Sequence, residues 1–184
     1  MRHAAALGRN INRFFSGNKL TPSAKEGLDF YRPLLVFPKW DRKFSRQEVL
    51  DEALTWAARN GQCDGMAWLV RRGALVNSNA YRGTPLLWAI YSEDVRAANW
   101  LLDHGADPNL RHNFGGENHG VRAVALHLAA QHDSVDCVTL LLSRGADPHI
   151  VDEAHGGDAL GWAESTGATR ATKALKQWID TIDG

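Results

Sequence analysis

Three stretches of this chain superimpose without a gap: "VRRGALVN" (70–77), "LDHGADPN" (102–109) and "LSRGADPH" (142–149). At a constant distance upstream of each lies a second shared string, "LTWAARNG" (54–61), "LLWAIYSE" (86–93) and "LHLAAQHD" (126–133), and a fourth copy of that string is "LGWAESTG" (160–167). The leading leucines, Leu54, Leu86, Leu126 and Leu160, stand 32, 40 and 34 residues apart. A period of this length is one supersecondary unit that cannot bury its apolar face alone, so the chain is restricted to a stack of such units.

Each unit reads as two short helices. In the second, Thr84 caps the first helix, Pro85 fits the opening turn where no N–H is needed, and Leu86, Ala89 and Ile90 form an i, i+3, i+4 apolar face. The second helix carries Ala97, Ala98, Leu101 and Leu102 and stops at His104-Gly105. Gly73, Gly105 and Gly145 recur at that stop, where a left-handed residue ends a helix and glycine alone adopts it without strain.

The start Thr84-Pro85-Leu86, His127, the alanine pairs, the aliphatic second helix and the Gly-Ala-Asp-x-Asn ending together resemble the ankyrin repeat family over about residues 50–179. The resemblance implies an all-α solenoid of stacked helix-turn-helix units with short β-hairpin fingertips. The units run over about 45–78, 79–110, 111–150 and 151–184, behind an N-terminal extension, residues 1–44. No unit keeps the whole family start motif. Leu87 stands where the histidine belongs, and His127 follows Val124-Ala125, so the hydrogen-bond network between helix starts is expected to be thinned and His127 to be a helix-start hydrogen bonder. Trp56, Trp88 and Trp162 share one register position and Trp68 and Trp100 another, which assigns all five to core packing between units, with an aromatic binding stripe as the alternative; Trp40 and Trp178, outside the register, are freer to be exposed.

The last unit is expected to be a terminal cap. It has Lys176 where the others have Val70, Leu102 and Leu142, with Arg170 and Lys173 nearby, giving the polar outer face that the end of a solenoid requires. At the other end Ser45 and Glu48 have capping-box spacing. Seven additional residues, about Glu117 to Ala123, lengthen the loop before the helix of unit three, either as a projection on the binding face or as a tolerated bulge with no role. His112, His119, His149 and His155 fall on loops without metal-ligand spacing and read as solvated side chains. Cys63 and Cys137 read as buried inert thiols, and two cysteines without a metal or disulfide pattern point to a reducing, cytoplasmic setting.

A formal net charge of zero gives no bulk attraction to nucleic acid or anionic lipid. It conceals an asymmetry: residues 1–48 hold 10 Lys/Arg against 4 Asp/Glu, and the remainder holds 11 against 17. Within residues 1–25, Leu7, Ile11, Phe14 and Phe15 share one helical face opposite Arg2, Arg9 and Arg13. This segment has three readings: a helix docked on the acidic repeats, a membrane-surface or partner-binding helix, and an organelle presequence. Pro33 and Pro38 mark an extended apolar strap.

No nucleophile elbow, phosphate-cradling glycine loop, zinc-protease motif or placed carboxylate pair is present, so the expectation is a non-enzyme with no cofactor and no metal. The resemblance implies a monomeric module that binds another protein on its concave side, as an adaptor, inhibitor or regulator, with no nucleic-acid role. The alternative is a membrane- or organelle-associated factor targeted by residues 1–15. By alignment with the family, the exposed concave positions are Arg59 and Asn60, Tyr91 and Ser92, Gln131 and His132, and Ser165 and Thr166. Tyr81, Arg82, Phe114 and His155 are expected at the fingertips.

Overall fold

The computed structural model describes residues 45–79, 83–112 and 121–182, and the expectations for Trp40, the strap, the amphipathic segment, Tyr81, Arg82, Phe114 and His119 lie outside them. Among the described residues eight helices follow in order: α1 (Arg46–Arg59), α2 (Cys63–Val70), α3 (Pro85–Tyr91), α4 (Val95–Asp103), α5 (Ala125–Gln131), α6 (Val135–Ser143), α7 (Ala159–Thr166) and α8 (Thr169–Ile182). First helices pack in a row, α3 on α5 on α7, and second helices in another, α4 on α6 on α8. Among the described residues the β-type pairing is one antiparallel bridge, His112 to Ala123.

Local chemistry accounts for the helix limits. The Thr84 hydroxyl accepts from Leu87 N–H, the carboxylates of Asp94 and Asp158 cap α4 and α7, and Ser45 and Glu48 form the reciprocal capping box expected of their spacing. Gly73, Gly105 and Gly145 end the second helices with φ of 98°, 88° and 83°. A further left-handed position recurs in the turn between the two helices of each unit, seven residues after the leading leucine. Glycine occupies it in units one and four (Gly61, Gly167), but Glu93 and Asp133 adopt φ of 52° and 53° there. Gly61 is required for a second reason: a Cβ on it would collide with the carboxylate of Asp94.

The core is the repeated aliphatic position of the second helix, Leu69, Leu101, Leu141 and Leu175, facing Leu54, Leu86 and Leu126 of the first helices. Each such leucine contributes about 1.5–3 kcal/mol by leaving water. The strictly buried second-helix position is thus one residue before the Val70/Leu102/Leu142 position; Val70 and Leu102 are half-buried. The terminal unit keeps Leu175 inside, while exposed Lys176 pairs with Glu164 at 2.8 Å.

The described residues correct the length of the loop insertion. His112 N–H donates to the Ala123 carbonyl as Asp152 N–H donates to Gly157, and ten residues separate the first pair against four in the second. The insertion is therefore six residues upstream of Ala123, which is itself a buried member of the regular unit. Two cysteine and histidine readings also change. Cys63, at the start of α2, is half-buried, whereas Cys137 is buried and its thiol pushed up by that burial. His112 is buried at the bridge instead of solvated, and burial depresses its pKa to about 4.

Candidate protein interface

Asparagines tie the units together along the bases of the fingers. Asn77 donates through Nδ2 to the Gly105 carbonyl and accepts from Asp107 N–H; Asn109 does the same with Gly145 and Asp147. Each side chain satisfies two backbone groups of the next unit, and the series stops where His149 takes the asparagine's place. Between units three and four the ties change. His127 Nδ1 accepts from Val124 N–H and its Nε2–H donates to the Gly157 carbonyl at 3.1 Å, as expected of a helix-start histidine, and burial holds its pKa down. Within unit four, Trp162 Nε1–H donates to Asp152 Oδ2 at 2.8 Å, and three backbone N–H groups, of Ala154, His155 and Gly157, converge on the same carboxylate. Burial works to raise the Asp152 pKa, but the indole and the amides outweigh it and hold it low.

The tryptophans separate into three environments. Trp162 is buried, as expected of a packing residue. On the second helices, half-buried Trp68 and Trp100 stack on the residue one turn later, with the Arg72 guanidinium 3.6 Å from the first ring and the His104 ring 3.6 Å from the second. Half-buried Trp56 and Trp88 support a cation: the Arg59 guanidinium lies 5.2 Å from the Trp56 ring, 4.8 Å from Trp88 and 5.4 Å from Tyr91. Assigning Trp56, Trp68, Trp88 and Trp100 to the interior is corrected here, as is the expected exposure of Trp178, which is half-buried.

Arg59, Tyr91 and His132 thus come together on the first-helix row. Tyr91 is 47% exposed, meets Trp88 at 5.3 Å between ring centres, and makes an edge contact with His132 at 5.6 Å. Exposed Asn60 and Ser92 and half-exposed Gln131 border them, and the Asn60 amide closes back on the Trp56 carbonyl. Ser165 and Thr166 are exposed, but both hydroxyls return to the Trp162 carbonyl and serve the end of α7. His155 stands apart on the finger turn of unit four, exposed, with its N–H on Asp152. Alignment alone missed that Trp56 and Trp88 belong to this row. The i, i+3 spacing of Trp56 to Arg59 and of Trp88 to Tyr91 is the signal that places each pair on one helix face.

Among the described residues no group of three or more His, Cys, Asp or Glu side chains is placed to hold a metal ion, and no helix is long and apolar enough to cross a membrane.

Comparison with known proteins agrees with this architecture. Sequence models for ankyrin repeats match residues 23–112 (a three-copy model) and 123–153 (a single repeat), the first reaching into the segment read above as an extension. Similar proteins include the palmitoyltransferase Hip14 of Drosophila melanogaster, 31% identical over 81% of this chain and 28% of that protein. The human mitochondrial disaggregase is 27% identical over 76% of this chain and 19% of its own length. An elephant (Loxodonta africana) ankyrin repeat, SAM and basic leucine zipper domain-containing protein is 33% identical over 57% of the chain and 21% of its length. The chain therefore spans less than a third of each of these relatives. With four units in one register, their helices stacked in two rows and the family models matching on both sides of the loop insertion, the chain belongs to the ankyrin repeat family.

Proposed function

We propose that this array is a non-catalytic adaptor, inhibitor or regulator that holds a partner protein on its first-helix row, the concave side in this family. Ankyrin repeats are generally protein-binding modules and are not catalytic in themselves. The observation that carries the proposal is the Arg59, Trp88, Tyr91 and His132 cluster, in which aromatic and arginine side chains that dominate interface energies gather across three units. Among the described residues Tyr91 is one of the few large apolar side chains left exposed, and polar Asn60, Ser92 and Gln131 form a rim around it.

A photo-crosslinking amino acid at position 91, compared with one at exposed Thr139 on α6, tests the assignment in cells of the source organism. Adducts with a discrete protein from position 91 and not from 139 support it. Equal labelling from both positions, or none from 91, refutes it.

A further inference from the structure

The geometry points to a partner that presents a carboxylate: an acidic peptide segment whose Asp or Glu side chain seats on Arg59 while a neighbouring apolar residue lies on Tyr91. This inference rests on the first-helix row being the contact surface and adds the chemistry of what it contacts. Most arginines in the array are already committed. Arg96 donates to the Gly61 carbonyl, Arg111 to Val151 and Arg122, Arg122 to Glu153, Arg144 to Asp103 and Asn99, and Arg170 to Asp133. Arg59 differs. Three rings from two units hold its guanidinium, yet among the described residues no acceptor engages its N–H groups. Rings stabilise the cation through its face and leave the planar fork of donors for a bidentate acceptor. A guanidinium already positioned also loses less conformational freedom on binding than a free one.

Neighbouring residues narrow the chemistry. Asn60, Ser92 and Gln131 carry no charge, Asp133 is engaged by Arg170 and the Ala171 N–H, and Glu93 makes no ion pair with Arg59. Among the described residues the three rings hold one cation, and a single guanidinium matches a carboxylate monoanion better than a phosphate dianion, which calls for several donors and charges. A nucleic-acid strand would need a basic groove along its backbone, and residues 49–184 carry 11 Lys/Arg against 17 Asp/Glu.

The test uses the full chain and a random peptide display library. Selection on the wild type is expected to enrich peptides carrying Asp or Glu next to Leu or an aromatic residue. Arg59→Gln should weaken an enriched peptide by roughly tenfold or more, and Arg59→Lys by less, because it keeps charge without the fork. Arg59→Glu should bind the same peptide with its acid replaced by Lys, a charge exchange that a merely structural arginine would not show. Melting temperatures of the variants matching wild type exclude misfolding. Enriched peptides that lose binding with Tyr91→Ala but not with Arg59→Gln would overturn the carboxylate inference and leave the binding row standing. Tighter binding of a phosphoserine version of the peptide would replace the carboxylate with a phosphate. No enrichment, or indifference to both variants, would overturn the inference and the row together.

Discussion

The junction between units three and four and the one between units two and three share a register but are fastened by different groups. At the later junction His127 bonds the Gly157 carbonyl, and Asp133 takes the Ala171 N–H and the Arg170 guanidinium, so the ties sit at the helix start and in the turn between helices. At the earlier one Leu87 replaces the histidine and Asp136 stands where Arg96 and Arg170 stand in their units. That junction is held instead by Asn109 on Gly145 and Asp147, and by Arg144 on Asp103 and Asn99. Apolar stacking is common to both, so the substituted polar positions decide where each junction opens, not whether it forms. The lesson is that a repeat tolerates loss of a motif residue when another position of the same register can satisfy the exposed backbone groups.

The strongest way to break either junction is through that common core. Leu101→Ala, at a fully buried position of α4, should cost about 2–5 kcal/mol by leaving a cavity, read as a lowered urea midpoint with unchanged slope. Acid should act next. The folded pKa of His112, about 4, lies below its ordinary 6.5, so the unfolded chain takes up a proton first. Stability is then full above pH 6.5, falls as pH drops, and the loss of about 3 kcal/mol is complete near pH 4. His127, also depressed, adds loss in the same direction. Urea midpoints across that range should show the slope, and His112→Asn should flatten it; an unchanged slope would remove His112 as its source.

His127→Leu converts the later junction to the chemistry of the earlier one. It strands the Val124 N–H and removes one of the donors to Gly157, at a cost of about 1–3 kcal/mol, with faster hydrogen exchange in α7 than in α3. Asp136→Arg does the reverse, supplying the missing arginine beside Glu93, and should raise the melting midpoint by less than about 1 kcal/mol equivalent, an effect that high salt abolishes. Lys176→Ala, on the exposed face of α8, removes one half-exposed ion pair and should move stability by less than about 0.5 kcal/mol. An effect as large as that of Leu101→Ala would show that the outer face of α8 is misassigned.

Much of this was legible in the residues themselves. Thr84-Pro85, Ser45 with Glu48, and the glycines at 73, 105 and 145 announce their caps because capping is settled within a few residues of chain. Seven residues were read into the loop before α5 because "HNFGG" aligns by letters with "EAHGG", whereas the backbone pairs His112 with Ala123 and Asp152 with Gly157, shifting the match by one. The left-handed turns at Glu93 and Asp133 gave no glycine signal, and at Asp133 the carboxylate compensates by bonding the next unit.

From the sequence alone came the unit, its two helices, their limits and the aliphatic positions that stack, since these follow from periodicity and from contacts spanning at most a few turns. Only the tertiary structure decided which tryptophans go inside and which carry Arg59, that His112 is buried, and that Asp133 reaches Arg170. Those outcomes depend on side chains roughly thirty or more residues apart meeting when one unit is laid on the next. The pattern of letters specifies that units stack, but the distances between neighbouring side chains exist only once they have.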